Sequence, residues 1–238
     1  WHIYHLIHLP SCTAEIMRVL HHHELYASSR LVRLVMAERG ILNLPKAEKP
    51  WQRNEEFLRL NPAGEVPVLM TEDGGAIVGA MVIAEFLEET ETEKPLIWGD
   101  ALKRAEIRRL TDWFEIKFSQ EVGAPLLSER FIKRFVDDGQ PSSVVIRTAL
   151  ANLHIHLDYL DWLTEQDNWL AGKQISLADL AAAAHLSVLD YFGDIDWDRH
   201  GETKNWYAKI KSRPSFRELL ADQIPGLQAA AHYGDLDF

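Results

Sequence analysis

Strand signals stop early in this chain and do not return, and that asymmetry constrains its architecture more than any single motif. Between residues 17 and 90, short β-prone runs alternate with amphipathic ones. "RVLHHHE" reads as a strand and "SSRLVRLVMAERGI" as a helix, with Leu31, Leu34, Val35 and Ile41 on one face and Gly40 near its C-terminal end. "NLPKA" reads as a short strand and "RNEEFLRLN" as a helical turn or two. "VPVLM" and "GAIV" read as strands across the turn "TEDGG", and "AMVIAEFLEET" as a closing helix. The order β-α-β-α-β-β-α builds a small sheet with helices packed on it. Beyond the charged, Pro-containing "ETEKPLIWGD" the pattern is helical throughout. "ALKRAEIRRLTDWFEIKFSQEV" and "SSVVIRTALANLHIHLDYLDWLTEQ" are long and amphipathic, while the almost wholly apolar "SLADLAAAAHLSVLDYF" belongs at the centre. "ETKNWYAKIKSRPSFRELL" supplies two shorter helices around Pro214. The expectation is an α/β domain over residues 17–92, an all-α domain over 101–221 and an irregular tail over 222–238.

Bulk properties exclude several classes. A net charge of −11 argues against a general nucleic-acid binder, which needs a basic face. There is no run of about 18 apolar residues, so membrane insertion is not expected. The single cysteine, Cys12, has no partner for an intramolecular disulfide and fits a reducing cytoplasm. Residues 1–16 lack the basic start and long apolar stretch of a signal peptide, and they read as an extra or non-native segment ahead of Met17. No metal is expected. In a strand His21 and His23 face one side and His22 the other, and no Cys or carboxylate is at hand to complete a tetrahedral site. His154 and His156 do not share a helix face. Trp113, Trp162, Trp169, Trp197 and Trp206 are assigned to the core or a dimer contact, and the basic residues of "RAEIRRL" to a solvated face.

Three segments together resemble the cytosolic glutathione transferase superfamily: "NPAGEVPVL" at 61–69, the helix "SSRLVRLVMAERGI", and "WLAGKQISLADLAAAAHLSVLDY". In the last, Ser176 and Asp179 form an S-x-x-D capping arrangement at a helix start. The resemblance implies a thioredoxin-like α/β N-terminal domain joined to an all-α C-terminal domain. It also implies a cis Val66–Pro67 bond presenting backbone groups to the peptide part of glutathione.

Within that pattern the ligand site reads as a remnant. The family usually places Glu-Ser or Gln-Ser at the start of the helix after the fourth strand, followed three residues later by Ile. Here "VGAMVI" keeps Ile83 in register but puts Gly79 and Ala80 in the polar slots. Two lost hydrogen bonds to charged groups, at about 1.5–3 kcal/mol each, correspond to roughly two to four decades in affinity. Glutathione binding is therefore expected to be weak or absent, with no other cofactor. The nucleophile-activating position falls on Tyr26 or Ala27, with Ser28 and Ser29 close behind. An active enzyme would use Tyr26 and Ser28. In the alternative, Tyr26 packs at the junction and one serine caps the helix.

Finally, "KPWQRNEEFLRLNPAGEVPVL", "RAEIRRLTDWFEIKF", "APLLSER", "DWLAGKQISLADLAAAAHLSVLDYFGDIDW", "KSRPSF" and "HYGDLDF" resemble a non-catalytic cell-division branch of the superfamily. That resemblance implies a cytoplasmic homodimer at the division site that binds filaments of the tubulin homologue FtsZ and influences their curvature and constriction. It further implies contact with other division proteins through the tail. Trp51, in a charged, Pro-led loop, is a candidate anchor for such a partner or else packs over the second helix. Tyr233, Asp235, Asp237 and Phe238 make an acidic-aromatic end suited to docking, and Glu121 and Glu129, flanking a helix break, extend that surface. The rival readings are an active glutathione-dependent transferase and a transferase-fold adaptor of the transcription machinery.

Overall fold

The computed structural model describes residues 18–236. Residues 1–16, expected to be an extra segment, lie outside the described residues, as do Met17, Asp237 and Phe238. Strand β1 (Arg18–His22) runs parallel to β2 (Asn43–Ala47) and antiparallel to β3 (Val68–Met70), which pairs antiparallel with β4 (Ala76–Val78). The sheet order is β2-β1-β3-β4. Three helices complete this unit: α1 (Ala27–Arg39), α2 (Glu55–Leu60) and α3 (Ala80–Thr90). Helix α1 stops because Gly40 turns left-handed at φ 74°, which lets the Ile41 N–H reach back to the Met36 carbonyl at 2.8 Å. Helix α2 starts at Asn54, whose side chain accepts the N–H groups of Glu56 and Phe57.

From Ala101 the chain is helical. One long run reaches Phe135 by alternating α-helical stretches, α4 (Ala101–Asp112), α5 (Ala124–Leu127) and α6 (Lys133–Phe135), with the wider π-wound turns Trp113–Gly123 and Ser128–Ile132. The helix break expected near Glu121 and Glu129 is absent. Pro125 lacks an N–H, but it sits at the start of α5, where the winding changes and no helical bond is asked of it. Then follow α7 (Ser143–Gln166), α8 (Leu177–Phe192), α9 (Gly201–Lys211) and α10 (Arg217–Leu220). Every residue of α8 from Leu177 to Tyr191 is buried, as its apolar composition requires. Four donors converge on the buried Asp179 carboxylate: the Ser176 N–H and hydroxyl, the Leu170 N–H and the Trp206 indole, all at 2.7–3.0 Å. Burial pushes this carboxyl upward and those hydrogen bonds oppose the shift.

The two units share one apolar core in which α1 packs on α8, with Leu31, Leu34 and Val35 beside Leu180, Ala184 and Leu186. Polar ties cross the same seam. Arg33 grips Asp222 through two bonds of 2.8 and 2.9 Å, and Arg30 reaches Ser187 at 2.8 Å. Two surface expectations are corrected. Arg104 and Arg108 are half-buried: the first donates to the Ile97 carbonyl at 2.6 Å and the second clasps Glu85 at 2.6 and 2.9 Å. Trp206 is buried to 1% exposure, yet Trp162 is 55% exposed and stacks on Tyr159, which removes the core alternative for it and leaves the dimer contact. Among the described residues no helix is long and apolar enough to cross a membrane.

Candidate functional site

At the head of α3 the expected backbone features are present, with Gly79 and Ala80 at the two positions expected to be polar. Val66–Pro67 is cis, and the Gly79 N–H donates to the Pro67 carbonyl at 3.0 Å, tying that loop to the head of α3. Gly79 precedes the helix at φ 92° and ψ 141°, a region that glycine alone visits readily, and no side chain caps the helix. Ala80 follows, only 6% exposed. The first N–H groups of α3 remain a weak anion-attracting end.

The two candidate catalytic hydroxyls differ in their commitments. The Tyr26 ring stands edge-on to His23 at 5.1 Å beside the cluster of Phe57, Val66 and Val68. Burial, reinforced by Glu65, pushes its hydroxyl above the usual phenol range, so it stays protonated. Ser28 donates to Glu115 at 2.8 Å, and the other oxygen of that carboxylate meets His185 at 3.0 Å. Ser28 is thereby a strut between α1 and the helical domain. The expected serine cap is overturned: α1 has Tyr26 at its N-cap with no side-chain bond, and Ser29 instead accepts the His23 N–H at 3.3 Å. Both serines lie inside the helix, past the capping position, so neither can serve as its N-cap.

A second site joins Trp51 to the tail. Trp51 lies half-buried in a short 3-10 turn, Pro50–Gln52, edge-on to His23 at 5.2 Å and to Phe131 at 5.7 Å. Its ring thus meets the β1 end and the helical domain. Phe131 belongs to an apolar cluster with Leu25, Tyr191, Ile224 and Tyr233, against which Trp51 packs. Tyr233 was expected at a docking surface and is instead 2% exposed. Its hydroxyl accepts from Arg30 at 3.1 Å and donates to the Leu219 carbonyl at 2.8 Å. Arg30 lies on α1 and gives this tail tyrosine a partner in the other domain, a contact that no local pattern announces. Behind it His232 bonds Asp190 at 2.9 Å. Asp235 and Leu236 are exposed beyond that anchor.

Glu129 is likewise corrected. It lies in the π-wound turn Ser128–Ile132, is 3% exposed, and is bound to Lys133 at 2.6 Å and to the Ser142 N–H at 2.7 Å. Glu121 is half-buried and ties Lys117 at 2.5 Å and His156 at 2.9 Å. His154 and His156 face different neighbours, His200 and Trp113.

One group of metal-ligating atoms, Asp158, Asp161 and His200, comes together among the described residues. Both nitrogens of His200 are already bonded, Nδ1 to Asp161 at 2.8 Å and Nε2 to His154 at 3.1 Å. The His154 and His200 rings stack with centres 5.5 Å apart.

The profile of the glutathione S-transferase N-terminal domain matches residues 27–90 and that of the C-terminal domain matches residues 135–223. The chain is 46% identical over 226 residues to FtsZ-localized protein A of Caulobacter vibrioides, covering 94% of this chain and 99% of that protein. A solved glutathione S-transferase from Rhodospirillum rubrum superposes with a TM-score of 0.92 at 47% identity, and FzlA from C. crescentus with 0.91 at 46%. Each covers 93% of this chain and 100% of its own.

Proposed function

This chain belongs to the glutathione S-transferase superfamily and, within it, to the family of FtsZ-localized protein A, and on that premise we propose that it is a non-catalytic homodimer that binds FtsZ filaments and regulates their curvature and constriction during cell division. The observation that carries this reading is the 46% identity to FtsZ-localized protein A across both domains and nearly the whole chain. The site chemistry supports it. Gly79 and Ala80 offer no polar side chain to glutathione, and Ser28 is held by Glu115. A dimer brings two copies of a modest surface to one polymer at high effective concentration, so neither contact must be strong alone. With a net charge of −11, recognition rests on local complementarity.

Trp51 is the anchor assigned to the filament, and the exposed end at Asp235 and Leu236, with Asp237 and Phe238, is assigned to FtsZ or another division-site protein in the cytoplasm. Co-sedimentation with GTP-assembled FtsZ, with GDP as control, tests this. The protein should pellet only with polymer, and Trp51→Ala should weaken it by about 2 kcal/mol or more, the scale of an interface hot spot. Failure to pellet across salt and concentration overturns the reading.

The cis Val66–Pro67 loop, still tied to the head of α3, favours a second reading, a glutathione-dependent transferase. Turnover of a chlorinated aromatic with glutathione, abolished by Tyr26→Phe or Ser28→Ala, would establish it in place of the first.

A further inference from the structure

A cavity of about 560 Å³ opens between the C-terminal end of α1, the loop entering β2 and the segment from Pro214 to Asp222. It shares no residue with the Trp51 cluster or the Val66–Pro67 loop. Its size lies within the range of small-molecule pockets, and its walls are largely apolar, formed by Ala37, Ile41, Leu42, Pro45 and Pro214.

Its polar groups are few and of definite character. His22 borders the cavity, is only 5% exposed, and has an Nδ1 with no hydrogen-bond partner among the described residues. Buried polar atoms are nearly always satisfied, so an orphaned imidazole nitrogen beside a cavity points to an absent partner. Burial and the neighbouring Arg33 hold this imidazole at about 4, neutral near physiological pH, where it serves as a hydrogen-bonding group and not as a cation. Arg33 is the single cation of the lining, and its guanidinium is committed to Asp222 by bonds of 2.8 and 2.9 Å. That pair is neutral in sum, which leaves the exposed Glu218 as the net charge of the wall. An anion would meet no free positive charge here and a carboxylate at the rim. A cation meets the reverse.

We propose that this cavity binds a small apolar molecule carrying an ammonium group, its N–H donors directed to His22 and Glu218 and its apolar body lying against Ile41, Leu42, Pro45 and Pro214. The inference is independent of filament binding, since none of these residues is assigned to that surface.

The test uses phenethylamine as probe and hydrocinnamate as its anionic counterpart of similar shape. Binding is measured by calorimetry at about pH 7.5, with the His22 ring nitrogens followed by NMR. Phenethylamine should saturate, shift the His22 signals and bind at least about tenfold more tightly than hydrocinnamate. Ala37 is exposed at the mouth, so Ala37→Trp blocks the cavity without touching the core and should abolish binding. Glu218→Gln should weaken the amine by roughly three- to tenfold and leave hydrocinnamate unchanged or improved. No saturable binding, equal affinity for the two probes, or full binding by Ala37→Trp would each overturn the proposal.

Discussion

At the scale of single residues, buried polar groups carry the most testable energetics. Asp179 holds four donors inside the helical domain, and Asp179→Ala would leave them without their acceptor. The expected loss is about 3–5 kcal/mol, read as a lowered urea midpoint with little change in slope. Tyr233→Phe removes a hydroxyl bonded to the fully buried Arg30, and should cost about 1.5–3 kcal/mol while leaving the tail sequence beyond it intact. Loss of filament binding in this variant at a temperature where it is folded would mean that the anchor positions the tail. Two neighbouring histidines set the acid response. Burial is the main cause holding His22 and His23 each at about 4, with Arg33 and Arg30 respectively adding to it. Their folded pKa values are lowered, so their contribution is fully present above the unfolded value of about 6.5 and lost as pH falls through about 4. The loss should reach roughly 3 kcal/mol for each. Urea titrations at successive pH values across that window check it, and a flat profile would contradict the neutral, buried state of both rings.

At the scale of elements, the head of α3 shows how backbone and side chain can part company. The loop, the cis peptide and the register of Ile83 persist, while the two positions that would supply polar side chains are Gly79 and Ala80. Adding a side chain at Gly79 is strained by its positive φ, although open space surrounds it. Gly79→Gln is therefore expected to destabilise by about 1–3 kcal/mol, and Ala80→Ser by far less. The double variant should gain affinity for glutathione by roughly tenfold to a hundredfold, measured by calorimetry, if the polar slots are what the site lacks. No gain would mean that the rest of the corner is no longer shaped for the ligand. The long run from Ala101 to Phe135 carries the complementary lesson. Its composition reads as helix, but the π winding over Trp113–Gly123, which packs against α7 and α8, and over Ser128–Ile132, which carries the buried Glu129, is invisible in a period of 3.6.

At the scale of the molecule, α1 makes one body of two sequence units. Arg33→Ala breaks a buried ion pair with Asp222 and should cost about 3–5 kcal/mol. Because α1 contributes to the common core, helix content and tryptophan fluorescence should still be lost in one coincident transition. Two separated transitions would show that the domains are only loosely coupled. The order of strands and helices, the buried α8 and its Ser176–Asp179 cap were all legible in the sequence, because period, glycine placement and capping residues act over a few neighbouring positions. The resemblance carried by "NPAGEVPVL" and its companions was legible for the same reason. What the sequence left open was decided between positions far apart in the chain. Arg30 meets Tyr233 and Arg33 meets Asp222 across roughly two hundred residues, and Trp51 comes against Phe131. They turned Tyr233, expected at a docking surface, into part of the core, while separate long-range contacts committed Ser28 to Glu115 and left His22 beside an open cavity. Local patterns determine which segments fold and which faces they bury. Which polar side chains find partners is settled only when the two domains close on α1, because burial makes every unpaired group costly and only the assembled fold supplies the partners.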